Sequence, residues 1–336
     1  MTTLHLLNDE NGIKKAAEIL KNDGTVAIPT ETVYGLAASA FSNEAIAKIF
    51  KAKGRPQDNP LIVHISNISE IDALVESFPD EAKELAKRFW PGPLTMVLKR
   101  SNKVAAAVSA GLDTVAIRMP ENEVARQVIE KSGLPLAAPS ANLSGSPSPT
   151  SADHVIADLD GRIDAIIISE NSSVGVESTV VTLAVNPPRL LRPGAVTPEQ
   201  LYEVLPDLVI DKAVLKPLEE NEKAASPGMK YKHYAPKTET YLVEAESKAF
   251  CEFVNGEENC AAICFSTEEA EITKPSFSYG DQQDSETQAR LIFDLLRRCD
   301  DLKTEKVYIH APKAQGVGLA VYNRLIRAAG FKVIKL

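Results

Sequence analysis

The feature that most narrows what this chain can fold into is a regular alternation of short apolar runs with stretches of helical period. Runs of strand length at 25–29, 61–65, 94–98, 115–119 and 165–168 are separated by segments at 12–22, 42–53, 68–76, 80–89, 122–131 and 151–158, in which apolar residues return once per helical turn. Each strand must bury a face and each helix a stripe, so the alternation predicts an α/β layer fold. Strands at 178–184 and 189–192 follow one another without an intervening helix and can pair antiparallel, which makes the expected sheet twisted and mixed.

The pattern breaks between about 208 and 237. Lys216-Pro-Leu-Glu-Glu-Asn-Glu-Lys223 is charged, and Ser226-Pro-Gly-Met-Lys-Tyr-Lys-His-Tyr-Ala-Pro236 is rich in Pro, Gly and aromatic residues, so the stretch reads as an interdomain linker. Beyond it, strands at 240–243, 261–265, 307–310 and 333–336 and helices near 246–254, 285–299 and 319–329 predict a second, smaller α/β domain of Rossmann-like type. The expected division is 1–207, 208–237 and 238–336, which suits a chain of 336 residues. Gly316-Val-Gly318 opens the final helix but lacks the third glycine of a dinucleotide fingerprint, and reads as tight strand-to-helix packing.

Composition excludes several functions. No apolar run approaches the ~20 residues of a membrane helix, and the first residues carry no secretory leader, so no membrane partner is expected and the cytoplasm is the default compartment. Cys251, Cys260, Cys264 and Cys299 lack metal-ligand spacing and read as small core residues. The formal charge is −9, and residues 1–210 hold 19 Lys and Arg against 26 Asp and Glu, or −7, which disfavours a general nucleic-acid surface. Inside that acidic half, however, Lys48, Lys51, Lys53 and Arg55 form a local positive patch.

Lys48 and Lys51 fit the last turn of a helix, where cations meet the dipole. Lys53-Gly-Arg55 continues into a loop, Arg55-Pro-x-x-Asn-Pro60, where two cations could be aimed at one anion, and polyphosphate suits that pattern. His64 ends the following strand and could face either the core or a site. Ala137-Ala-Pro-Ser-Ala-Asn142, with the hydroxyl-rich segment up to Thr150, is composed like a binding loop in which Ser140 and Asn142 offer donors. Arg118 and Arg192 lie in apolar strands, where a charge is costly unless an anion pairs with it. A carboxylate explains either alone; together with the Lys53 and Arg55 loop they suggest a shared anionic ligand.

Pro29-Thr-Glu-Thr-Val-Tyr-Gly-Leu36, Lys53-Gly-Arg-Pro-x-x-Asn-Pro-Leu61, Trp90-Pro-Gly-Pro-Leu-Thr95, Pro139-Ser-Ala-Asn142 and Gly175-Val-Glu-Ser-Thr179 together resemble the YrdC-like threonylcarbamoyl-AMP synthase family, and the linker with its extra domain resembles that family's long, two-domain form. The resemblance implies a YrdC-like catalytic domain and a nucleotidyltransferase that makes threonylcarbamoyl-AMP and pyrophosphate from L-threonine, bicarbonate and ATP. It implies catalytic roles for Lys53 and Arg55, and threonine contacts from Thr32, His64, Arg118, Ala138 and Ser178. Nucleotide contacts would fall on Arg55, Asn59, Thr114, Ser140, Asn142, Ser148, Arg192 and Tyr234. It further implies ATP with Mg2+ as substrate, no tightly bound cofactor or resident metal, and a downstream partner that transfers the group to tRNA. Tyr231, His233 and Tyr234 are expected to close over the site as a lid. The alternatives are an RNA-binding module, against which the acidity of both domains argues, and a carbamoyl-transferring maturation enzyme, whose zinc-finger cysteines are missing here. Direct RNA binding is expected to be weak or absent.

Overall fold

A computed structural model of the protein describes residues 2–217 and 234–336. The first unit runs β1 (Leu4–Leu7), α1 (Glu10–Lys21), β2 (Val26–Ile28), β3 (Gly35–Ser39), α2 (Asn43–Lys53), β4 (Ile62–His64), α3 (Asp80–Phe89), β5 (Leu94–Lys99), α4 (Ala106–Ser109) and β6 (Thr114–Arg118). It continues through α5 (Glu123–Ser132), β7 (Leu136–Ala137), α6 (Ala152–Leu159), β8 (Ala165–Ile168), β9 (Thr179–Thr182), β10 (Arg189–Arg192), α7 (Pro198–Tyr202) and β11 (Val209–Ile210). The second holds β12 (Glu239–Glu244), α8 (Ser247–Gly256), β13 (Cys260–Cys264), β14 (Ser276–Ser278), α9 (Ser285–Cys299), β15 (Lys306–His310), α10 (Val317–Ala328) and β16 (Val333–Lys335).

The first unit forms a mixed sheet in the order β1-β8-β2-β3-β7-β4-β6-β5-β9-β10-β11. Its two faces are unlike. Val63, Ile117, Met96 and Val181 enter the main helix-covered core. Their neighbours Ile62, Ala116, Val97 and Val180 turn to the other face, in a small separate cluster. Register then fixes the site: Ile62 pairs with Ala116 and His64 with Arg118, so period-two alternation puts His64 and Arg118 on that second face.

Helix ends set the entry to the site. Ser42 caps α2 by accepting from the Ala45 amide, and Gly54 closes it in the left-handed region at φ 61°, which sends the chain into the Arg55 loop. The segment expected as a helix at 68–76 is instead a single 3-10 stretch, Ile68–Ala73. There the Asn67 and Glu70 side chains satisfy the first turn, and the stretch ends after Ala73 with the Leu74 amide donating to the Ile71 carbonyl. β3 escaped the pattern because Gly-Leu-Ala-Ala-Ser carries no β-branched residue.

The second unit is a parallel sheet, β14-β13-β15-β12-β16, flanked by helices. Gly318 is a packing glycine, since a Cβ there would lie 2.2 Å from the Lys313 carbonyl. All four cysteines are buried and unpaired. The two units are tightly docked: Arg297 forks onto Asp158 at 3.1 and 2.9 Å, and His154 meets Asp294 at 3.2 Å. Gly175 touches α9 so closely that a Cβ would fall 2.3 Å from the Arg290 Cα. β11, which lies inside the expected linker, still pairs with β10 and extends the first sheet. Tyr231 and His233, expected in the lid, lie outside the described residues.

Candidate active site

On the second face of the large sheet, a cavity is lined by Thr32, Arg55, His64, Arg118, Ala138 and Ser140, together with Asn142, Ser148, Ser178, Arg192 and Tyr234. Residues expected at the site from positions as distant as 32 and 234 therefore share one space. Thr30, Ser146 and Glu177, to which the sequence assigned no role, line it too.

Arg118 is the centre of one end. It is buried, and its guanidinium donates to Glu31 Oε1 at 2.5 Å, Thr32 Oγ1 at 2.7 Å and the Gly92 carbonyl at 3.2 Å. Five N–H groups with three named partners leave donors for a ligand. Burial pushes the Glu31 carboxyl upward, but the Arg118 charge and hydrogen bond hold it below its ordinary range. Thr30 spends its proton on the Val33 carbonyl at 2.6 Å, so Thr32 donates to Thr30 at 2.9 Å and accepts from Arg118. The sequence missed Glu31 although it stands inside the first motif.

His64 lies beside Arg118. Its Nδ1 sits 3.2 Å from the Ile62 carbonyl, which can only accept and so fixes the proton there. Burial, followed by the Arg118 charge, takes its pKa down to about 3. The ring is neutral and adds no positive charge to this end. Ser178 shares a 2.7 Å hydrogen bond with Thr95 and accepts from Arg192 Nη2 at 3.1 Å. Burial lowers the Arg192 pKa to about 10, which leaves it charged at neutral pH.

The Lys53-Gly-Arg55 pair divides. Arg55 lines the cavity, with Nη2 3.5 Å from the Asn59 and Pro60 carbonyls. Lys53 is only 3% exposed and turns the other way. Its ammonium donates to the Ser140 carbonyl at 2.5 Å, the Asn142 carbonyl at 2.6 Å and Asn142 Oδ1 at 3.3 Å. Burial, then the Arg55 charge, pushes its pKa well down, while three acceptors match the three protons of the charged form. Lys53 thus ties α2 to the Ser140–Asn142 loop, and Ser140 Oγ donates to Asn142 Oδ1 at 2.6 Å within it.

Asn59 and Thr114 do not line the cavity. Asn59 is buried, and its side-chain oxygen has no hydrogen-bond partner among the described residues. Thr114 begins β6 and shares the face of Ala116 and Arg118, about 13 Å along the strand from Arg118. Tyr234 does line the cavity: it is buried, in the left-handed region at φ 65°, and tilts against Phe293 with ring centroids 5.2 Å apart.

Fold and cavity define a class: a two-domain α/β protein whose open sheet face holds three arginines around a hydroxyl-rich pocket suited to anionic small molecules. Residues 18–194 match the family model described as "Telomere recombination", and residues 196–330 match "Threonylcarbamoyl-AMP synthase, C-terminal domain". The chain is 44% identical to the threonylcarbamoyl-AMP synthase of Bacillus subtilis, over 99% of this chain and 97% of that protein. It is 43% identical to the synthase of Pyrococcus abyssi, over 98% and 97%. The structure of Pyrococcus abyssi Sua5 complexed with L-threonine superposes with a TM-score of 0.91, 41% identity and full coverage of both chains. The chain belongs to the threonylcarbamoyl-AMP synthase family, in its long two-domain form.

Proposed function

We infer that the protein is a threonylcarbamoyl-AMP synthase, an adenylyl-transferring enzyme that uses ATP and L-threonine. The observation that carries this reading is the single cavity that Arg118, Thr32 and His64 line together with Arg55, Ser140 and Ser148. Full-length identity to named synthases supports it.

The chemistry has two steps. The threonine amine combines with bicarbonate, losing water, to give an N-carboxylate; a carboxylate oxygen then attacks the α-phosphorus of ATP, forming the O–P bond as the bond to pyrophosphate breaks. Both partners are anions, so cations must converge where they meet. Arg118 takes the threonine carboxylate on its remaining donors. Neutral His64 can accept at Nε2 without repelling the ammonium. Arg55 and Arg192 face the phosphates, while Lys53 acts indirectly by holding the Ser140–Asn142 loop in place. Thr114, farther along the same sheet face, and Asn59, in the Arg55 loop, extend the nucleotide track. Magnesium enters with the polyphosphate as part of the substrate, and bicarbonate is the carbon source.

The product is a mixed anhydride that water destroys, and Tyr234 stands where a lid would shield it. Its natural consumer is a transferase acting on a tRNA adenosine. Incubation with ATP, bicarbonate and labelled threonine should release pyrophosphate and labelled adenylate in equal amounts, each dependent on threonine. Pyrophosphate release with no threonine-derived adenylate would remove this reading.

A further inference from the structure

Glu177 is the one carboxylate among the described residues lining the cavity. A bare carboxylate there would oppose a polyphosphate, since like charges in a partly buried site repel more strongly than they do in water. Its neutralising partner comes from the other domain. Arg324, on α10, is 0% exposed. Its Nε donates to Glu177 Oε2 at 2.6 Å and its Nη2 to the Glu177 carbonyl at 3.2 Å, while Nη1 is anchored on Asn323 Oδ1 at 2.7 Å. The other carboxylate oxygen, Oε1, accepts from Ser148 Oγ at 2.5 Å. Asn323 and Arg327 brace the helix by donating to the Val214 and Ala213 carbonyls of the first unit.

We propose that Arg324 is a positioning residue for the nucleotide, through which the C-terminal domain completes the catalytic pocket by cancelling the charge of Glu177 and fixing the proton of Ser148. Burial acts to raise the Glu177 carboxyl, but the Arg324 charge, followed by that of Arg192, holds it ionised, so Glu177 does not escape by taking up a proton. Because the Ser148 hydrogen is committed to Glu177, Ser148 presents only lone pairs to the cavity. It therefore accepts from a nucleotide N–H or O–H and is no donor to phosphate. Arg324 also lies over the Tyr234 ring, 5.7 Å from its centroid, so the same side chain supports a second lining residue of the cavity.

The inference rests on the functional reading above, and equilibrium binding tests it without turnover. Calorimetry with adenosine, AMP and ATP separates a charge effect from loss of shape. Arg324→Met should weaken ATP about tenfold and AMP about threefold, leaving adenosine within about twofold, because the exposed Glu177 charge acts on phosphate. Arg324→Met with Glu177→Gln removes the charge and keeps an acceptor for Ser148, so ATP affinity should return to within about threefold of wild type. Equal losses for adenosine and ATP, or no recovery in the double variant, would overturn the proposal. If the single variant fails to fold, the double variant decides alone, since position 177 then carries no charge for Arg324 to cancel: ATP binding tenfold below wild type, with adenosine unchanged, would show that Arg324 holds phosphate directly. A wild type that binds no ATP would instead sink the functional reading, a failure distinct from any of these.

Discussion

Both halves of the molecule bury a glutamate against a basic side chain, and the two pairs do opposite things. In the C-terminal sheet, His310 Nδ1 meets Glu268 Oε1 at 2.7 Å and Nε2 meets the Ala245 carbonyl at 2.8 Å. Phe250 and Phe265 pack on the ring at 4.5 and 4.6 Å. Every hydrogen-bonding position of that imidazole has an acceptor. In the large sheet, Arg118 pairs with Glu31 just as deeply, yet retains donors and faces a cavity. Burying such polar groups is costly in either place. The difference shows that burial alone does not mark a functional site; unspent hydrogen-bonding capacity directed into a space does.

The sharpest break between the two halves comes from removing one partner of the closed pair. Glu268→Ala should cost about 3–5 kcal/mol of stability, read from the denaturant midpoint, because the His310 ring and the Phe265 amide are both left buried without their acceptor, with KM for threonine and ATP unchanged. A shift in either KM would mean that the second domain's interior is coupled to the site. Within the site, Lys53 and Arg55 should separate. Arg55→Ala should lower threonine-dependent turnover about hundredfold with little change in melting temperature, because a charge facing phosphate is lost. Lys53→Ala should lower turnover and also cost roughly 2–3 kcal/mol, since three acceptors on the Ser140–Asn142 loop lose their donor. Equal melting temperatures for the two variants would contradict the tie drawn here.

A smaller effect sits at His64. Its pKa falls from an ordinary 6.5 to about 3 on folding, so between these values the unfolded chain binds more protons than the folded one. Stability from keeping this ring neutral is complete above pH 6.5 and is lost as pH falls toward 3. Glu31 and Glu177, held below the carboxylate range, lose their contribution only at lower pH. The melting temperature of His64→Gln should therefore vary less than wild type between pH 6.5 and 4.5. A slope identical to wild type would show that the imidazole titrates normally. The mildest change is Thr114→Val, at the far end of the nucleotide track, which should weaken ATP about threefold, the worth of one half-exposed hydrogen bond.

Much of this was legible in the sequence because it is local. The alternation that predicts α/β layers is a property of windows of about a dozen residues, and the passage from helix to loop at Lys53-Gly-Arg55 is read from adjacent positions. The motifs named most of the cavity. What escaped depends on distance. Nothing near Lys53 says that its amine will meet carbonyls 87 and 89 residues away. Likewise nothing near Arg324 announces a partner 147 residues upstream, because helix periodicity marks only that the position is inward. β3 was missed for the reverse reason: its small residues suit a crowded sheet beside the cavity, where Gly35 lets the Ala138 Cβ approach to within 3.2 Å of where its own would be, and they carry little strand signature.

The central claim is that one cavity holds the amino acid and the nucleotide together, with Arg118 at one end and Arg55 at the other. Determining the structure with L-threonine and a non-hydrolysable ATP analogue bound tests it most directly. The account predicts the threonine carboxylate within hydrogen-bonding distance of Arg118, which still contacts Glu31, and the phosphates against Arg55 and Arg192 with Lys53 still on its carbonyls. Threonine bound away from Arg118, or a nucleotide seated on any other face, would contradict it.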